Sequence, residues 1–126
     1  KVLMDGNNLD GAKAVLEWVA KDAKFDGQKS LGRLRLASVL IEQKAYPEAL
    51  KQLEGNVPPE FAASFADRRG DALVLNGDAK AAVAAYQEAH AKLDSRSSYR
   101  RVIEAKLNSL GATVQVAAAQ TTGSSQ

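Results

Sequence analysis

The sequence predicts an all-α fold, a solenoid of antiparallel helix pairs closed by a C-terminal capping helix. Apolar residues recur at helical spacing in several separate segments, the breaks between them are short turns of Gly, Asn, Asp and Pro, and one set of residues returns at a nearly constant interval. The stretch from Ala66 to Ala89 carries all three signals. It holds a predicted helix with Gly70 and Leu73, the turn Asn76-Gly77-Asp78, and a second helix with Ala82, Tyr86 and Ala89.

At the N-terminal end, Lys1-Val2-Leu3-Met4-Asp5 lacks an initiator methionine and reads as the last turn of a helix begun upstream, so the chain reads as a fragment. Gly6-Asn7-Asn8 makes a turn, and Asp10 helps to cap a helix that runs to about Lys24, with Ala12, Val15, Leu16 and Val19 as its apolar stripe. Trp18 lies at the edge of that stripe. For this single tryptophan, filling the core or the space between repeats is favoured over serving as a ligand platform. Phe25-Asp26-Gly27 breaks the pattern. A second long helix, from about Gln28 to Gln43, carries Leu31, Leu34, Leu36, Ala37, Val39, Leu40 and Ile41. These positions wrap more than one face, which predicts a helix packed on two sides at the centre of the domain.

Lys44-Ala45-Tyr46 turns the chain, and Pro47 suits a first helical position, where its missing N–H costs nothing. The short helix it opens holds Ala49, Leu50 and Leu53 and stops at Gly55-Asn56. Pro58-Pro59-Glu60 then starts the helix of Phe61, Phe65, Leu73 and Leu75. Within it Gly70 costs about 1 kcal/mol relative to Ala, so a packing need is implied: close approach by a neighbouring helix, with Ala82 and Ala89 playing the same part on the next one. Asn76-Gly77 supplies a left-handed stop and Asp78 caps the helix from Ala79 to Leu93. Asp94-Ser95 ends that helix. Ser95 or Ser97 caps a last one through Tyr99, Val102, Ile103, Leu107 and Leu110, whose place at the end of the array is that of a capping helix. After Gly111 the chain is Ala, Thr, Val, Gln, Ser and Gly without charge, and it reads as a flexible tail whose removal from Thr113 onward leaves stability intact.

Leu73, Gly77, Ala79, Ala82 and Tyr86 have counterparts at the same mutual spacings in Leu40, Lys44, Tyr46, Ala49 and Leu53, and again in Leu3, Asn7, Leu9, Ala12 and Leu16. The offsets bracket the 34-residue period of tetratricopeptide repeats. The pattern resembles such a repeat, with Gly70, Leu73, Gly77, Ala82, Tyr86 and Ala89 on the motif. The runs Leu34-Arg35-Leu36-Ala37-Ser38-Val39 and Ala66-Asp67-Arg68-Arg69-Gly70-Asp71-Ala72-Leu73, followed by Asn76-Gly77-Asp78, resemble the YfgM-like family of ancillary Sec translocon subunits. The likeness extends from Lys1 to Leu110. A tetratricopeptide-like domain is thus expected over residues 1–110, with repeats near 1–24, 28–55 and 58–93, a capping helix over 96–110 and the tail at 111–126.

Composition fits one ordinary domain. The 126 residues are 45% hydrophobic and 25% charged, with net charge +2 and a pI of about 8.9, so no strongly charged partner is implied. There are no cysteines, and no apolar run approaches the length of about 18 residues needed for a transmembrane helix.

Chemistry is sparse. With one histidine, His90, and no Cys, no metal site or nucleophile–base arrangement is recognisable, no cofactor is implied, and His90 reads as a surface or half-buried structural residue. Asp67 and Asp71 are four apart on one helix face, as an acid–base pair could be. Arg68, Arg69 and the arginines of the preceding helix are near enough to pair with them, which favours structural ion pairs or a polar contact strip. Arg33, Arg35, Arg96, Arg100 and Arg101 read as a solvated face, or a contact for an acidic protein, before they read as a nucleic-acid or lipid surface.

Stacked helix pairs expose an inner face lined by the first helix of each pair, and such faces bind peptides or other domains. The inner-face candidates are Leu34, Ser38, Ile41 and Glu42 from the second pair and Ser64, Asp67, Asp71 and Val74 from the third. The Lys and Asn of a carboxylate clamp are missing from them. A non-catalytic protein-interaction module is therefore expected, with a cytosolic scaffold or regulator as the alternative. The resemblance adds partners: the Sec translocon, a membrane-anchored periplasmic peptidyl-prolyl isomerase-like chaperone, and unfolded exported clients. It also implies a bacterial inner-membrane protein, single-pass through an N-terminal anchor upstream of Lys1, with this domain facing the periplasm.

Overall fold

The computed structural model describes residues 9–22 and 25–112. Among them the chain forms six α-helices and no strand: α1 (Leu9–Asp22), α2 (Asp26–Glu42), α3 (Tyr46–Gln52), α4 (Pro59–Leu75), α5 (Ala79–Lys92) and α6 (Tyr99–Ser109). The all-helical, tetratricopeptide-like expectation holds. The N-terminal turn at Gly6-Asn7-Asn8 and the tail from Thr113 lie outside the described residues.

Each helix packs on the next in sequence, α2 also touches α4, and the most extensive pairing is α4 with α5. Two apolar cores result. Leu36, Ala37, Leu40, Ala49, Leu53, Phe65 and Ala72 form one, and Ala66, Ala82, Tyr86, Ala89, Ile103 and Leu107 form the other. α2 is packed on more than one side, as its wrapped apolar pattern predicts, but it is α4 that joins the cores. Phe65 and Ala72 face one and Ala66 the other.

The recurring Leu–Gly spacing has a definite physical meaning. Lys44, Gly77 and Gly111 all take left-handed φ, at 64°, 88° and 77°. In each case the following N–H, of Ala45, Asp78 or Ala112, donates to the carbonyl of Leu40, Leu73 or Leu107 at 2.8, 2.8 and 2.9 Å. This is the Schellman closure of a helix C-terminus. It ends α2, α4 and α6 alike, so the last helix stops in the same way as the first helix of each pair. The conserved geometry tolerates Lys44, a residue for which the left-handed conformation costs roughly 1–2 kcal/mol.

Asp78 Oδ1 accepts the Ala81 N–H at 3.2 Å and caps α5. Asp78→Ala lowers stability by about 1 kcal/mol, measurable as a lower denaturant midpoint at unchanged slope. At the start of α6, Ser97 Oγ accepts the Tyr99 N–H at 3.2 Å.

Gly70 is needed for contact. A Cβ there would lie 2.6 Å from Cδ1 of Tyr86, whose ring rests on the α4 backbone. Gly32 does the same for the α1–α2 pair, where a Cβ would lie 2.6 Å from Val19 Cγ1 and 3.0 Å from the Ala20 nitrogen. Ala82 and Ala89 are fully buried on α5.

Several local readings are corrected. Trp18 is 60% exposed and Val15 56% exposed, because α1 packs chiefly on α2 and among the described residues its opposite face is left open. Asp10 lies inside the first turn of α1, and its carboxylate accepts from Gln43 Nε2 at 3.0 Å, tying α1 to the end of α2. α3 ends at Gln52, three residues before Gly55. The arginines make no single stripe. Arg33 reaches from α2 to the carbonyls of Gln52, at 2.9 Å, Glu54 and Asn56, and stacks on Phe65 with its guanidinium carbon 5.0 Å from the ring centre. Arg100 donates to the carbonyls of His90 and Leu93 at 3.2 and 3.1 Å. Both are cations placed on carbonyls in and just beyond the last turn of a helix.

Candidate functional site

Helical spacing places Ser38, Ile41 and Glu42 on one face of α2 and Arg68, Asp71, Val74 and Leu75 on one face of α4. The two faces border a groove of about 370 Å³, with Tyr86 of α5 completing the wall. Five expected inner-face residues therefore come together there: Ser38, Ile41, Glu42, Asp71 and Val74. The other three do not line it. Leu34 packs half-buried against the first core, Ser64 is exposed elsewhere on α4, and Asp67 is only 2% exposed. The Ser38 hydroxyl donates back to the Leu34 carbonyl at 3.2 Å, a local bond that leaves its face toward the groove. Arg68, Leu75 and Tyr86 line the groove without having been singled out for it. Their signal was available, since Arg68 and Leu75 share the helical face of Asp71.

Behind this wall lies a polar cluster that fixes α4, α5 and α6 together. Lys106 Nζ donates to Asp67 Oδ1 at 2.8 Å and to the Asp71 oxygens at 3.0 and 3.3 Å. Tyr99 Oη donates to Asp67 Oδ2 at 2.9 Å, and Tyr86 Oη donates to Asp71 Oδ1. Of the expected arginine partners, Arg68 does pair with Asp71, through Nη1 and Oδ2, and Arg69 does not. Arg69 instead pairs with Glu88 at 2.6 Å, and Arg68 comes no nearer to Asp71 than 3.5 Å. A lysine from the capping helix is the closer cation, because α6 packs over α5 and brings its polar edge to the two carboxylates.

Both tyrosines and the lysine hold their protons more tightly than usual. Burial and then the hydrogen bond to Asp71 raise Tyr86, and burial and then Asp67 raise Tyr99. For Lys106 burial acts the other way and lowers it, but the hydrogen bonds and charges of Asp67 and Asp71 win and raise it. Groups whose affinity for protons rises on folding stabilise the fold fully below their unfolded pKa. That stability is lost as pH climbs through the folded value. With ordinary values of 10.0 for the tyrosines and 10.5 for the lysine, the cluster stays intact at neutral pH and fails only in strong alkali. The thermal midpoint should fall above about pH 10, and Tyr99→Phe should flatten that alkaline limb.

His90 is buried, not half-exposed. Its Nε2 lies 2.8 Å from Glu104 Oε2, joining α5 to α6, and its Nδ1 has no partner among the described residues. Among the described residues no three His, Cys, Asp or Glu side chains gather to hold a metal. No helix there is long and apolar enough to cross a membrane.

Over residues 1–112 the chain matches the family model described as a tetratricopeptide repeat-like domain. It is 31% identical over 106 residues to a protein of Neisseria gonorrhoeae (strain ATCC 700825 / FA 1090) named "Ancillary SecYEG translocon subunit", covering 84% of this chain and 51% of that protein. To the protein of the same name from Escherichia coli (strain K12) it is 35% identical over 107 residues, covering 85% of this chain and 52% of the relative. The chain spans about half the length of these curated relatives. No solved structure matches it at a significant level. These similarities bear out the YfgM-like resemblance carried by the runs at Leu34 and Ala66, and the chain belongs to the family of tetratricopeptide repeat-like domains.

Proposed function

We propose that this domain is a non-catalytic interaction module of an ancillary Sec translocon subunit. It faces the periplasm from a membrane-anchored protein and works beside an isomerase-like chaperone on newly exported chains. The observation that carries the binding role is the groove between α2 and α4, where Ile41, Val74 and the exposed Leu75 offer apolar surface beside the charges of Glu42 and Arg68. The names of the two relatives support the translocon as the setting. The carboxylates that could have suggested acid–base catalysis are engaged by Lys106, Tyr86 and Tyr99, a use that serves architecture.

The test is co-purification of translocon subunits with the full-length protein from source-cell membranes, comparing wild type with a Glu42→Arg, Leu75→Asp double variant. Both residues are exposed, so the thermal midpoint should hold while the recovered translocon falls several-fold. Full recovery with the double variant would overturn the groove as the contact. Failure of the wild type to bring down the translocon would overturn the function.

A further inference from the structure

We infer that Arg68 is the anchoring donor of the α2–α4 groove, holding a main-chain carbonyl of an extended peptide whose apolar side chain and neighbouring basic one are selected by the other groove residues. This rests on the groove being the binding face proposed above. The Arg68 Nε–H is buried and has no acceptor among the described residues, so the donors that can face an occupant are the terminal nitrogens of a side chain that is 33% exposed. Its Nη1 reaches only Asp71, at 3.5 Å, and that carboxylate already accepts from Tyr86 and Lys106. A guanidinium has five donors in a rigid fork, so most of the hydrogen-bonding capacity of Arg68 is unused at the edge of a groove.

The acceptor that fits is uncharged. Glu42 and Asp71 line the same groove, and a carboxylate on the ligand would meet two like charges there. A peptide carbonyl brings an acceptor without that repulsion. It must come from extended chain, because a helical ligand spends its carbonyls within its own helix. Ile41, Val74 and Leu75 give the apolar contact, and Glu42, exposed and in no ion pair among the described residues, gives a site for a basic side chain. Alternation of side chains along an extended peptide delivers the apolar and basic groups to different walls while the main chain faces Arg68.

The test uses fluorescence anisotropy with the full-length protein and short fluorescein-labelled peptides of alternating leucine and lysine, alternating leucine and glutamate, and alternating serine and lysine. The leucine–lysine peptide should bind best. Arg68→Met should weaken it about tenfold, the loss of a hydrogen bond to a charged donor. Arg68→Lys should recover little, because it keeps the charge and loses the fork. Glu42→Lys, with Arg68 intact, should reverse the preference between lysine and glutamate peptides. Matching thermal midpoints confirm that each variant folds. Wild-type affinity in Arg68→Met, with binding still abolished by Leu75→Asp, would overturn the role of Arg68 and leave the groove standing. If no peptide binds the wild type, the peptide occupant is overturned, while co-purification of the translocon judges the broader function separately.

Discussion

Gly70→Leu lowers the stability of the fold by about 1–3 kcal/mol or more, read as a drop in the thermal or denaturant midpoint. The ring of Tyr86, itself 3% exposed, lies where a side chain at Gly70 would begin, and it is held there by its bond to Asp71. A leucine must push that ring off α4, breaking the tyrosine–carboxylate bond and separating the most closely packed pair of helices. Gly70→Ala makes a finer test. Alanine gains about 1 kcal/mol in helix propensity over glycine, so a net loss on this change isolates the steric contact. A midpoint equal to wild type for the leucine variant would show that Tyr86 moves away freely.

Lys106→Met removes the cation that joins α6 to α4 and leaves Asp67, 3% exposed in its side chain, with Tyr99 as its remaining side-chain donor among the described residues, at 2.9 Å. Breaking a fully buried ion pair from one side costs about 3–5 kcal/mol. Lys106 is 27% exposed, and water reaching the cluster reduces the loss to about 2–3 kcal/mol. Adding Asp67→Asn to Lys106→Met should cost less than the sum of the two single changes, since the second change removes the charge that the first leaves unpaired. Strict additivity in this cycle would mean that the two residues do not depend on one another.

The fold was legible because its determinants are local. Gly70, Leu73, Gly77, Ala82 and Tyr86 declare a helix, a left-handed stop, a cap and a close-packed second helix within one short stretch, and the same register at Leu40 and Lys44 repeats the same closure. Much of the groove could be read for a similar reason, because residues three and four apart share a helical face. What the sequence hid was long-range. Lys106 meets Asp67 and Asp71 across 39 and 35 residues, and no spacing marks that meeting. Arg33 and Arg100 find backbone carbonyls, partners that every residue possesses and that carry no sequence signature. Gly32 looked like any helical glycine until α1 was laid on it, and the exposure of Trp18 follows from which face of α1 its neighbour leaves open.

The most direct measurement is photocrosslinking in membranes of the source cell, with a photoreactive residue placed at Leu75 in the groove and, in a second protein, at Lys51. Lys51 is exposed on α3 and lines no part of the groove. Asp71 is unsuitable for the probe because its carboxylate holds Tyr86 and Lys106. Crosslinks to a translocon subunit, an isomerase-like chaperone or an exported chain from Leu75, absent from Lys51, are the predicted result. Equal crosslinking from both positions, or crosslinks from Lys51 alone, would contradict the assignment of the α2–α4 groove as the working face of this domain.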